Sequence, residues 1–155
     1  MASQGLIPTR GDWEYRQFDT TSTATFRKGS LVKFAATTFL LSEYSGGEPF
    51  IVGIALHNSA DSLPSGKVLV AVPGSGSYAR ADLPTGVVAS SLSIGVTCGF
   101  AKSGDTVSTV TFSYTSAAGR LAVISGPYNS TNSTVEVQFL NSYTVLNSAL
   151  SQAIG

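Results

Sequence analysis

The single histidine and the single cysteine are where any search for chemistry in this chain must begin. His57 stands in His57-Asn58-Ser59-Ala60-Asp61-Ser62, directly after an apolar run. His57, Ser59 and Asp61 together carry the residue types of a serine-hydrolase triad. Such a triad draws its members from separate elements and needs oxyanion donors. Here all three crowd one short loop, and the chain holds no Gly-x-Ser-x-Gly elbow. A polar loop whose side chains bond the backbone accounts for the same residues. Cys98 lies within the apolar run Ile94-Gly-Val-Thr-Cys-Gly-Phe100, with no base or cationic neighbour in sequence. It reads as a small buried hydrophobe, not a nucleophile. As the only cysteine it can form no internal disulfide.

Other candidate sites fail in turn. One His and one Cys, far apart, cannot build a zinc site. The nine acidic residues are dispersed, without the alternating Asp of a calcium loop. Ser65-Gly66-Lys67 lacks the earlier glycine and the following Ser or Thr of a phosphate-binding loop. Paired carboxylates for sugar hydrolysis have no local signature. The chain is therefore expected to be no enzyme and to bind no cofactor, metal or small-molecule substrate.

Composition points to the partners. Nine basic and nine acidic residues cancel, and charged residues make up only 12% of the chain, about half the usual share. A nucleic-acid binder needs a clustered basic surplus, and none is present. No apolar stretch approaches membrane-spanning length, and the N-terminus has no secretory pattern, so synthesis in the cytosol is expected. Weak self-repulsion instead suits a protein that works inside an assembly. The charges crowd the N-terminal stretch; beyond Asp105 only Arg120 and Glu136 remain.

The elements that must position these residues read as strands. Phe50 to Leu56 and Val68 to Val72 are apolar on both faces between turn signals, which fits strands covered on both sides. Leu92 to Phe100 is expected as another, bent at Gly95 and Gly99. Val110, Phe112 and Tyr114 alternate with polar residues, as do Val135, Val137 and Phe139. Leu121 to Ile124 is a short strand expected to end at Gly126-Pro127. Leu146, Ala149, Leu150 and Ala153 fall at helical spacing near the tail. Residues 1–25 read as an extended arm. Its Arg10-Gly-Asp-Trp-Glu-Tyr-Arg-Gln-Phe18 mixes charges with three aromatics, and Trp13 is the only tryptophan.

The order of motifs in the middle of the chain resembles a known family. Phe26-Arg-Lys-Gly-Ser-Leu-Val32 is followed by Val52-Gly-Ile-Ala-Leu-His-Asn-Ser-Ala60, Gly66-Lys-Val-Leu-Val-Ala-Val-Pro73 and Ala81-Asp82. This succession resembles the head decoration, or cement, proteins of tailed bacteriophages, in the lambda-like group with a β-tulip core. The likeness covers roughly residues 10–100. It implies an all-β fold with a β-tulip, barrel-like sandwich core over 26–155 and an extended N-terminal arm over 1–25. Residues 101–155 belong to that domain or form an added lobe. The resemblance further implies a homotrimer on the outer capsid surface of a virion, with the arm lying on the major capsid protein. The arm residues expected to make that contact are Arg10, Trp13, Tyr15, Arg16 and Phe18. The rings would serve as anchors and the guanidinium groups as partners for capsid carboxylates. A carbohydrate- or receptor-binding β module of a virion is the alternative, with Tyr78, Tyr114, Tyr128 and Tyr143 available to stack on sugars.

Overall fold

The computed structural model describes residues 5–21, 25–35, 39–44, 51–60, 67–74, 76–83, 94–102, 108–111, 122–129 and 134–140. Among them are eleven strands and no helix. The strands are β1 (Ile7–Arg10), β2 (Trp13–Phe18), β3 (Leu31–Phe34), β4 (Leu41–Glu43), β5 (Gly53–Ala55) and β6 (Val68–Pro73). They continue with β7 (Tyr78–Asp82), β8 (Thr97–Lys102), β9 (Ser108–Thr111), β10 (Ala122–Asn129) and β11 (Thr134–Phe139). One sheet runs β1-β7-β11-β10-β8, with β9 continuing it beyond β8; the other runs β2-β6-β5-β3-β4. All strand pairings are antiparallel.

The two sheets pack as a sandwich over one core. Leu31, Ile54 and Ala71 from the second sheet meet Ala79, Ala81, Cys98, Phe100, Ala122, Ile124, Val135, Val137 and Phe139 from the first. The alternation read at 134–139 follows from this: Val135, Val137 and Phe139 are buried, while Glu136 and Gln138 lie on the other face.

The second sheet has a second core on its other face. Val68, Val70 and Val72 of β6 join Val32, Leu41, Val52, Ala55 and Phe26 there. A single sheet can bury both faces without another layer if it curls. Just after β2, Leu41 N–H donates to Asp19 O (2.8 Å) and Thr21 N–H to Leu41 O (3.0 Å). Thr20 and Leu41 thus form a lone parallel bridge. The chain leaving one edge of the sheet touches the strand at its other edge. The sheets are sandwich-like, and no closed barrel forms from them. Gly53 permits tight stacking within the curl, since a Cβ there would fall 2.2 Å from Ala71 O.

Two expectations are corrected, and a third holds in part. Residues 7–18 are not an arm lying off the core. They form β1, paired with β7, and β2, paired with β6 over six residues. Of the run expected over 92–100, β8 takes Thr97 onward and the bend at Gly95 is present (φ 95°); Gly95 N–H donates to Ile124 O and Ile124 N–H to Val96 O, and residues 92–93 lie outside the described residues. The strand from Ala122 does not stop at Gly126-Pro127 but runs to Asn129, with its register shifted between Ile124 and Tyr128. A Cβ at Gly126 would lie 2.8 Å from Glu136 Cβ, so glycine lets the irregular strand hug β11. The expected tail helix, with Phe112 and Tyr114, lies outside the described residues.

Candidate functional site

The segment expected to carry function is one long ribbon. β1 and β2 follow β7 and β6 in antiparallel register, from Ile7 opposite Arg80 to Phe18 opposite Val68. Both connections cross from one sheet to the other at the same corner, and hydrogen bonds sew them together. Gly74 N–H lies 3.0 Å from Asp12 O and 2.8 Å from Ser77 Oγ. Ser77 Oγ–H donates to Asp12 O at 2.6 Å. Gly11 (φ 95°) makes the turn, and a Cβ there would fall 1.9 Å from Gly76 O. No other residue type fits that corner without moving the backbone.

The corner claims two of the five expected contact residues. The Trp13 indole N–H is shared between Arg10 O (3.0 Å) and Tyr78 O (3.1 Å). Its ring meets Phe139 edge-on at 5.8 Å. Trp13 is thus an anchor, but to its own protein. The Arg10 guanidinium reaches Glu136 Oε1 at 2.8 Å and lies 3.9 Å from the centre of the Tyr78 ring. The hydrogen bond to Glu136 holds the Arg10 pKa above its ordinary value. Tyr78, expected as a sugar-stacking ring, is covered by that guanidinium on one face.

Alternation along β2 splits the other three. Phe18 turns into the curled sheet, where it meets Phe34 edge-on at 5.5 Å. Arg16 shares that face nearer the edge, with Nε 3.9 Å from Glu14 Oε1. Tyr15 points the other way and stays 59% exposed. The structure therefore brings Arg10 and Trp13 together at the corner and buries part of Phe18. Tyr15 and Arg16 stay exposed.

Exposed apolar residues elsewhere escaped the sequence reading. Phe39 is 78% exposed and Ile94 77%, with Leu40 and Val96 beside them less so. Phe39 ends a ring series, 5.4 Å from Phe34, which itself contacts Phe18. The signal was present in Phe39-Leu40-Leu41: three apolar residues in a row cannot all face one core of a strand. Ile94, beside a turn glycine, carried a similar hint.

The residues of possible chemistry are tied up structurally. His57 Nε2 accepts the Leu69 N–H at 2.9 Å, so the ring completes the β5–β6 ladder beyond Leu56. Ser59 N–H donates to Phe26 O; Asp61 lies outside the described residues. Cys98 is buried, and burial pushes its thiol up to about 12. Such a thiol offers almost no thiolate near neutral pH. Among the described residues no three His, Cys, Asp or Glu side chains cluster to hold a metal.

Compared with known proteins, the chain matches no family model and no curated protein.

Proposed function

We propose that the chain is a capsid decoration protein that binds the outer surface of a phage head as a homotrimer and stabilises the shell against disruption. One observation carries the reading. A small, charge-balanced β-sandwich leaves Phe39, Leu40, Ile94, Val96 and Tyr15 on its surface. Apolar side chains left exposed on a weakly charged protein suit burial against other proteins. The motif order of residues 10–100 supports the choice of the family, and the occupied His57 and Cys98 fit a protein that works by contact.

On this reading the shell contact falls to the Phe39–Leu40 tip and the Ile94–Val96 turn. Trp13 and Phe18 support the fold from within. Tyr15 and Arg16 stay exposed on the β2 edge, open to a protein partner. Binding only the expanded shell would stabilise that state by mass action.

The test mixes purified protein with expanded empty heads of the phage that encodes it. Expected are saturation at a fixed ratio to the major capsid protein and a higher temperature of shell disruption. Heads that neither take up the protein nor gain stability would overturn the reading. Deleting residues 1–20 is a poor test, because it removes a strand from each sheet; Phe39→Ser and Ile94→Ser are cleaner.

A further inference from the structure

The outer edge of β2 differs from those of β4 and β1. β4 is bridged on its outer side by residues 19–21. β1 carries Pro8 and a register shift between Pro8 and Arg10, both of which discourage edge pairing. β2 runs Trp13–Phe18 in unbroken register, without proline. Tyr15 lies five residues before the Thr20–Leu41 bridge, about 16 Å along an extended chain, so the edge there is clear of β4.

The phase of the ladder shows which backbone groups look outward. Gly74 N–H donates to Asp12 O, so Asp12 and Gly74 are a hydrogen-bonded pair. Alternation then makes Glu14–Val72, Arg16–Val70 and Phe18–Val68 the bonded pairs. Tyr15 turns its backbone N–H and C=O away from β6, while the Trp13 N–H donates to Gly11 O at 3.2 Å. The next ladder agrees. Leu69, opposite Gln17, accepts from Leu56 N–H at 3.1 Å and donates to His57 Nε2, both on the β5 side.

We propose that this edge is a joint between two copies of the chain, paired antiparallel about a twofold axis through Tyr15. Each Tyr15 N–H donates to the Tyr15 carbonyl of the second copy. Glu14 then falls opposite the second copy's Arg16, and Arg16 opposite its Glu14. These are the non-hydrogen-bonded positions, where side chains approach most closely. Both side chains are exposed in the single copy, at 69% and 46%. The charges also select the register. A shift of two residues one way sets Glu14 against Glu14; the other way sets Arg16 against Arg16. Only the Tyr15-centred register pairs opposite charges twice. The joint merges two five-stranded sheets into one.

This inference goes beyond the decoration reading and does not depend on it. A twofold joint makes pairs and cannot by itself close a trimer. Repeated around a trimer, it would link each trimer to its neighbours.

The test is sedimentation and light scattering of the full chain across a concentration series. The wild type is expected to associate by twos, as dimers or as paired trimers. Tyr15→Pro removes an outward N–H that β6 does not use, and should abolish pairing. Glu14→Arg and Arg16→Glu should each weaken pairing about ten-fold, by opposing like charges twice. The double swap E14R/R16E should restore it to near the wild-type level. That rescue is the signature a nonspecific surface effect would not give. Trp13 emission and far-ultraviolet circular dichroism report folding, and the charge variants decide the matter should Tyr15→Pro not fold. The proposal is overturned if the wild type does not pair, if Tyr15→Pro folds and pairs unchanged, or if the double swap pairs no better than the single variants. No arm uses the shell, so failure here and failure of shell binding are separate results.

Discussion

Among the described residues, two cores share one sheet and are closed in different ways. The first lies between the sheets and ends in rings packed on one buried ring: Phe100 stacks on Phe139 at 5.6 Å, and half-buried Trp13 meets Phe139 edge-on. The second lies in the curl of the five-stranded sheet, and its ring series runs outward from Phe18 through Phe34 to the exposed Phe39. β6 serves both, with Ala71 on the inter-sheet side and Val68, Val70 and Val72 in the curl. A small side chain allows the sheets to approach, while β-branched ones fill the hollow of the bend. The first core is sealed; the second leads to the surface.

Four measurements break or sharpen that contrast. Phe139→Ala should cost most, about 4–5 kcal/mol, because it removes the ring that both Trp13 and Phe100 contact. Urea unfolding gives the loss, and native Trp13 emission should shift to the red. Phe26→Ala, in the second core, should cost about 3–4 kcal/mol yet leave native Trp13 emission unchanged. A red shift there would show that the cores are not separate. The third prediction concerns Cys98, whose pKa rises by burial from 9.0 to about 12. A thiol raised on folding contributes stability below the unfolded value and loses it as pH climbs toward the folded one. Stability should therefore fall by about 1 kcal/mol more between pH 9 and 10 in the wild type than in Cys98→Ala. Equal slopes would mean that the thiol is not sealed in. Phe39→Ser should change stability least, by about 0.5 kcal/mol or less, since its ring is mostly in water. A larger loss would move Phe39 from the surface into the second core.

The sequence was most legible where one rule decided the outcome. Two-faced apolar runs at 50–56 and 68–72 told of strands covered on both sides, although not that a single curled sheet does the covering. Strict alternation at 134–139 gave the correct inward face. The ribbon of residues 7–18 was missed for a physical reason. Trp13-Glu14-Tyr15-Arg16 does alternate ring with charge, but an edge strand is half solvated, so neither face is uniformly apolar. Its partners lie 65 residues away for Trp13 and 126 for Arg10, distances at which local pattern says nothing. The same distance hid the fate of the expected contact residues. That Trp13 must bury somewhere was readable; that Phe139 receives it was not. Gly126 misled because a glycine beside a proline usually ends a strand, whereas here it lets a bent strand pass close to Glu136.

The long ribbon also inverts birth order. Residues 7–18 precede their partners: β6 and β7 must emerge before the ribbon can pair, and Phe139 before Trp13 has its ring contact. The first-made strands therefore wait on later ones, and the loop-closure entropy of reaching so far along the chain opposes that step. A polypeptide halted before Val68 has no β6 to fix the outward phase of β2 and so lacks the ordered edge that Tyr15 occupies.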